Sequence, residues 1–160
     1  MDISELKEKV AQFVERNYMM VFYQEAVENP HKKIHAKREG LTEFVKKQYR
    51  DIGERILKFI KNRGENYLDV YKAAEISPQL WYKYMTGGSK PGKDNMLRMA
   101  VVMDLDLDEA IQFLNLAGFG LSRCSKRDLV LVYFFKYGIS NYRDINSCLA
   151  ELGLEPLFSE

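Results

Sequence analysis

Apolar residues along this chain recur at intervals of three and four, and no stretch alternates at intervals of two, so the pattern predicts helices and no strands. A first stripe runs through Ile3, Leu6, Val10, Phe13 and Val14. It starts at Asp2 with Glu5 three residues on, the spacing of a capping box, and continues to about Glu28, where Asn29-Pro30 pushes the chain out of the α region. A second pattern begins near Leu41 and passes through Phe44, Val45, Tyr49, Ile52, Ile56, Phe59 and Ile60 to a stop at Arg63-Gly64, with Gly53 as the place for a bend. Four short helices follow, over Tyr67–Glu75, Pro78–Thr86, Lys93–Met103 and Leu107–Ala117, and then two more over Lys126–Tyr137 and Asn141–Leu152. The fold class is all-α.

The breaks between the short helices are chemically marked. Ser77-Pro78 fits an N-cap followed by proline in the first turn, Gly87-Gly88 ends that helix, and Asp106 with Glu109 forms a second capping box. Between the first two long patterns, HKKIHAKR at 31–38 sets four Lys/Arg and two His in one polar stretch, which reads as a linker or an exposed turn. There is no internal repeat and no low-complexity tract.

Composition bounds what these helices can be. With 160 residues, 46% hydrophobic and 29% charged, the chain is that of a folded globular protein with one core of ordinary size. The longest apolar run, Leu129 to Phe135, falls far short of the roughly 20 residues a membrane helix needs, so no membrane partner is expected. The opening MDISELKEKV mixes acids and bases and does not read as a signal peptide, which points to the cytoplasm. Cys124 and Cys148 lie far apart with no second cysteine or histidine beside either, and read as free thiols. Net charge is +1, spread evenly: ten bases face eight acids over 1–50, nine face ten over 51–120, and five face five over 121–160. The basic surplus typical of nucleic-acid-binding domains is missing.

Two short helices joined by a tight turn, the second anchored by apolar residues at fixed offsets, make the helix-turn-helix pattern. Val70 and Ala74 lie on the inner face of the first helix and Ile76 fills the turn. Trp81 and Tyr84 anchor the second, while Met96, Leu97, Ala100 and Leu105 belong to the next helix and its end. The run VYKAAEISPQLWYKYMTGGSKPGKDNMLRMAVVMDLDLDEAIQFLNLAG resembles the XRE-type helix-turn-helix of phage repressors and keeps its spacing without a gap. Ala74, Ile76-Ser77, Gly87, Pro91, Leu97, Ala100 and Leu105 stand where that family has its Ala, Val-Ser, Gly, Pro, Leu, Ala and Val. The following LNLAGFGLSRCSKRDLVLVYFFKYGISNYRDINSCLAELGLEPLF is similar to the tail of a group of small helix-turn-helix proteins of Gram-positive bacteria and their mobile elements. Together the two resemblances cover residues 55–158; the first fifty residues carry none.

The resemblance implies a five-helix phage-repressor-like domain over 41–120, preceded by a helix and basic linker over 1–40 and followed by a helical extension over 121–160. It further implies a sequence-specific DNA-binding transcriptional regulator acting as a dimer on double-stranded DNA. Gln79, Tyr82, Lys83 and Thr86 are then the base-facing residues. Gln suits adenine N6/N7 and Lys suits guanine O6/N7, each worth on the order of 1–3 kcal/mol of discrimination. Lys90, Lys93 and Arg98 become the phosphate contacts. The sequence departs from the family in three places: Tyr67-Leu68-Asp69 opens the first helix of the motif, Glu75 replaces the usual turn glycine, and the second helix is rich in aromatics. These departures, with Tyr82 on the outer face, fit an alternative class: an adaptor that keeps the scaffold and binds another protein.

Other chemistry is thin. His31 and His35 are four apart and would share a helix face, but a metal would need a third ligand and none is in view. Asp104, Asp106 and Asp108 imitate the start of a calcium loop, yet Glu109 stands at its glycine position and Asn115 at its bidentate glutamate, so capping accounts for them better. No phosphate loop, nucleophile–base set or cofactor motif is present, so neither an enzyme nor a cofactor is expected. The stripe of Ile3, Leu6, Val10, Phe13, Asn17 and Met20 reads either as a dimer seam with one polar position or as a face packed on the chain's own core.

Overall fold

A computed structural model describes residues 2–17 and 38–159. The described residues form eight helices and no strand: α1 (Ile3–Asn17), α2 (Arg38–Asn62), α3 (Tyr67–Ala73), α4 (Pro78–Thr86), α5 (Lys93–Val102), α6 (Leu107–Asn115), α7 (Lys126–Tyr137) and α8 (Tyr142–Glu151). Met20, the expected end of the first helix near Glu28, the break at Asn29-Pro30 and the pair His31 and His35 lie outside the described residues.

The helix ends follow the local chemistry. Ser77 Oγ accepts from the Leu80 amide (3.1 Å) with Pro78 in the first turn of α4, and Gly87 closes that helix in the left-handed region at φ 81°. Asp106 accepts from the Glu109 amide at 2.8 Å while Glu109 accepts from the Asp106 amide at 3.0 Å, completing the expected capping box of α6. Glu5, read as half of another box, pairs with Lys9 one turn on (2.7 Å). Helix α3 stops at Ala73, because Glu75 turns left-handed at φ 61° where most residues of this turn type would be glycine.

Packing is organised around α7, which buries residues on all its sides, from Asp128, Leu129, Val130 and Leu131 to Tyr133, Phe134 and Phe135. A helix apolar all round is an interior helix. Against it lies α1, whose Leu6, Val10 and Val14 are buried and whose Phe13 meets Tyr133 edge-on at 5.3 Å. Lys7 reaches Glu151 of α8 at 3.6 Å. Of the two readings of the first stripe, packing on the chain's own core is the one this arrangement uses, so a dimer would need another surface. One apolar cluster runs from α1 through α8.

Helix α2 continues unbroken through Gly53, the place expected for a bend. The glycine serves proximity: a Cβ there would overlap the backbone carbonyl of Tyr84 in α4. Further toward its N-terminus α2 passes the end of α4 as closely, since a side chain at Gly87 would overlap the Lys46 carbonyl and meet Arg50 Cβ at 3.2 Å. Two glycines, one on each helix, thus let α2 and α4 cross at backbone contact. Beyond that crossing residues 40–48 of α2 are exposed, including Leu41, Phe44 and Val45. No described helix is long and apolar enough to cross a membrane.

Candidate functional site

The inner face of α4 is sealed by aromatic stacking. Trp81, only 6% exposed, stacks near parallel on Tyr71 at 5.1 Å and Tyr67 at 6.1 Å, the two tyrosines themselves 6.4 Å apart. Offset aromatic pairs of this kind add on the order of 1 kcal/mol beyond burial. Tyr84 is fully buried and its hydroxyl accepts from Asn95 Nδ2 at 2.6 Å. Burial pushes the Tyr84 phenol above its ordinary range. These contacts fix the rotation of α4 about its own axis, and so fix what it turns outward.

Outward it turns Gln79, Tyr82 and Lys83, all exposed, with Tyr82 at 69%. The three share one face by their three- and four-residue spacing. Thr86 is half-buried, and its hydroxyl donates to the Tyr82 carbonyl at 2.9 Å, so it has only acceptor capacity left for a ligand. Lys90 is exposed, its ammonium 4.9 Å from the centre of the Phe119 ring.

Two expected phosphate contacts are committed elsewhere. Lys93 Nζ lies 2.6 Å from Asp128 Oδ2, and that buried carboxylate also accepts from the Ser122 amide at 2.8 Å. Withdrawing Lys93 would leave a buried charge unpaired, so its ammonium is a structural counter-ion. Arg98 donates to the Ala74 carbonyl (2.8 Å), the Leu157 carbonyl (2.9 Å) and, closest of all, Asn95 Oδ1. Its guanidinium pins the α3–α4 turn to the last residues of the chain.

Those last residues are strapped across the turn by several side chains. Asn146 accepts from the Leu157 and Phe158 amides and donates to the Phe158 carbonyl. Arg127 holds the Glu155 and Pro156 carbonyls and makes a two-pronged pair with Asp94 at 2.7 and 3.1 Å. Glu75 accepts from the amide and hydroxyl of Ser159, each contact at 3.0 Å. The acid that departs from the family pattern is thereby occupied at the strap. Asp69 stays exposed in the first turn of α3, where a carboxylate complements the helix dipole.

Periodicity along the chain does not single out Lys46 and Arg50, which the crossing at Gly87 brings to the end of α4. Both are exposed, and neither forms an ion pair among the described residues. Their signal in the sequence is Gly53, a glycine in the middle of a helix, where that residue costs stability unless another backbone comes close. A cavity of about 540 Å³ lies away from α4 between α1, α8 and the C-terminal strap, lined by Lys7, Tyr142, Arg143, Asn146, Ser147, Glu151 and Ser159. Comparison with protein-family models, curated proteins and solved structures found no match to this chain.

Proposed function

We propose that α2–α6 form a helix-turn-helix domain of the phage-repressor type, and that the protein is a regulator that binds double-stranded DNA sequence-specifically through the outer face of α4. The observation that carries this reading is the division of α4 into two faces: Trp81 and Tyr84 seal one, while Gln79, Tyr82 and Lys83 stand exposed together on the other. A helix held rigidly from behind, with amide, phenol and ammonium groups in front, suits insertion into a major groove and direct contact with base edges. The regulatory mechanism would be occlusion of a promoter or recruitment at it.

The test is selection from random-sequence duplex at two salt concentrations. Enrichment of a motif, lost in Gln79→Ala and Lys83→Glu, supports the reading; no motif and no dependence of affinity on salt sinks it. The second reading, a protein-binding adaptor, draws on a different observation: Leu41, Phe44 and Val45 are exposed on one side of α2, as Tyr82 is on α4. Exposed aromatic and aliphatic side chains of this kind are common at protein interfaces. A protein that enriches no DNA motif, and whose cognate protein partner loses affinity for Tyr82→Ala, would be an adaptor.

A further inference from the structure

The N-terminal half of α2 is not part of the apolar core, yet it lies against the end of α4 at backbone contact. Gly53 meets the Tyr84 carbonyl and Gly87 meets the Lys46 carbonyl, so two backbone contacts set the crossing of the helices. The spacing of Lys46 and Arg50, one turn apart, puts them on the same side of α2, and Arg50 Cβ is the side-chain atom next to Gly87. The stretch from Glu43 to Arg50 carries three bases, Lys46, Lys47 and Arg50, against the single acid Glu43. Glu43 and Glu54 flank Lys46 and Arg50 along the same helix, but neither acid pairs with either base among the described residues. A chain of near-zero net charge therefore sets two uncommitted cations at the C-terminal end of α4, where Lys93 and Arg98 are already spent on the fold.

We infer that Lys46 and Arg50 form a phosphate clamp that grips the DNA backbone bordering the groove entered by α4. This rests on the DNA-binding reading of α4 and goes beyond it, assigning the sequence-independent part of the affinity to a different helix. Base edges are read by Gln79 and Lys83, and register on the duplex is held from α2. The clamp is built by helix crossing rather than by loop residues, so its backbone is in place before binding and only the two side chains need ordering.

The experiment measures affinity for the selected duplex, and for a scrambled one, between 50 and 200 mM salt. It uses the wild type, the double variant Lys46→Gln/Arg50→Gln, and Gln79→Ala. Loss of two phosphate contacts lowers the salt slope by about 1.8, so the wild type's advantage over the double variant shrinks about twelvefold across that salt range. The ratio of affinities for selected and scrambled duplex stays the same in the double variant, whereas Gln79→Ala lowers that ratio and leaves the slope unchanged. Thermal unfolding of the double variant should match the wild type, because both side chains are exposed. A wild type with a salt slope that the folded double variant retains overturns the clamp and leaves the α4 reading intact. A wild type that binds neither duplex overturns both.

Discussion

The cations around α5, α7 and the C-terminal strap and those around α4 and the first half of α2 are the same residue types put to opposite uses. In the first region Lys93 is held by Asp128, Arg127 by Asp94 and two carbonyls, and Arg98 by Ala74, Leu157 and Asn95. In the second, Lys83, Lys46 and Arg50 are exposed and form no ion pair among the described residues. A flat charge count along the chain is therefore a poor guide to surface charge here. Bases matched by acids inside the fold cancel in the count, and the remaining ones set the local field. The comparison also separates what each change should cost: a base in the first region should matter to stability, a base in the second to binding.

The sharpest way to break this contrast is Arg98→Ala. It removes hydrogen bonds to two backbone carbonyls and to Asn95 and unties the α3–α4 turn from residue Leu157. Discounted for the partial exposure of the guanidinium to about 1 kcal/mol for each of the three hydrogen bonds, the expected loss in urea unfolding is about 3 kcal/mol. A loss below about 1 kcal/mol would mean the strap does not hold the turn.

Next in size is a pH effect on the interior side of the comparison. Cys148, buried in α8, has its thiol pushed from 9.0 up to about 11, first by burial and then by Asp144. With a folded value above the unfolded one, its contribution is complete below pH 9 and is lost as pH rises through 11. Two pH units, at about 1.4 kcal/mol each, correspond to roughly 2–3 kcal/mol of stability lost over that window. Tyr84 and Tyr133, also raised by burial, add to the loss above pH 10. Cys148→Ala should be less stable at pH 7 by about 1 kcal/mol but flatter between pH 9 and 10; an unchanged slope would assign the loss to the tyrosines. At pH 8 a thiol reagent should label exposed Cys124 well before Cys148.

How far the sequence reached follows from the range of each interaction. The ends of α4, the box of Asp106 and Glu109 and the stop at Gly138 are set within four residues, and turn and capping chemistry names them directly. The inner face of α4, Trp81 and Tyr84, is legible for the same reason, since it follows from periodicity. Lys93 with Asp128 is separated by 35 positions and Arg98 with Leu157 by 59, and no local pattern connects them. Lys93 at a helix start looks the same in sequence whether it faces phosphate or a buried carboxylate. Gly53 reads in sequence as the place for a bend and not as a crossing point, because its reason lies in the backbone of Tyr84.

The smallest stability effect, and the one that tests the comparison from its other side, belongs to Lys83→Glu. Lys83 is exposed on α4 and forms no ion pair among the described residues. An exposed substitution away from caps and ion pairs changes stability by within about 0.5 kcal/mol. Reversing the charge in the last turn of α4 opposes the helix dipole, which favours the upper end of that range. Against this near-silence in urea unfolding stands an expected loss of duplex affinity of at least tenfold, from one repulsive contact at the groove. A variant that unfolds more than 1 kcal/mol earlier would show that Lys83 belongs with Lys93 and Arg98 among the structural cations. A variant that is both stable and fully competent for the selected duplex would remove Lys83 from the binding face and leave Gln79 and Tyr82 to carry it.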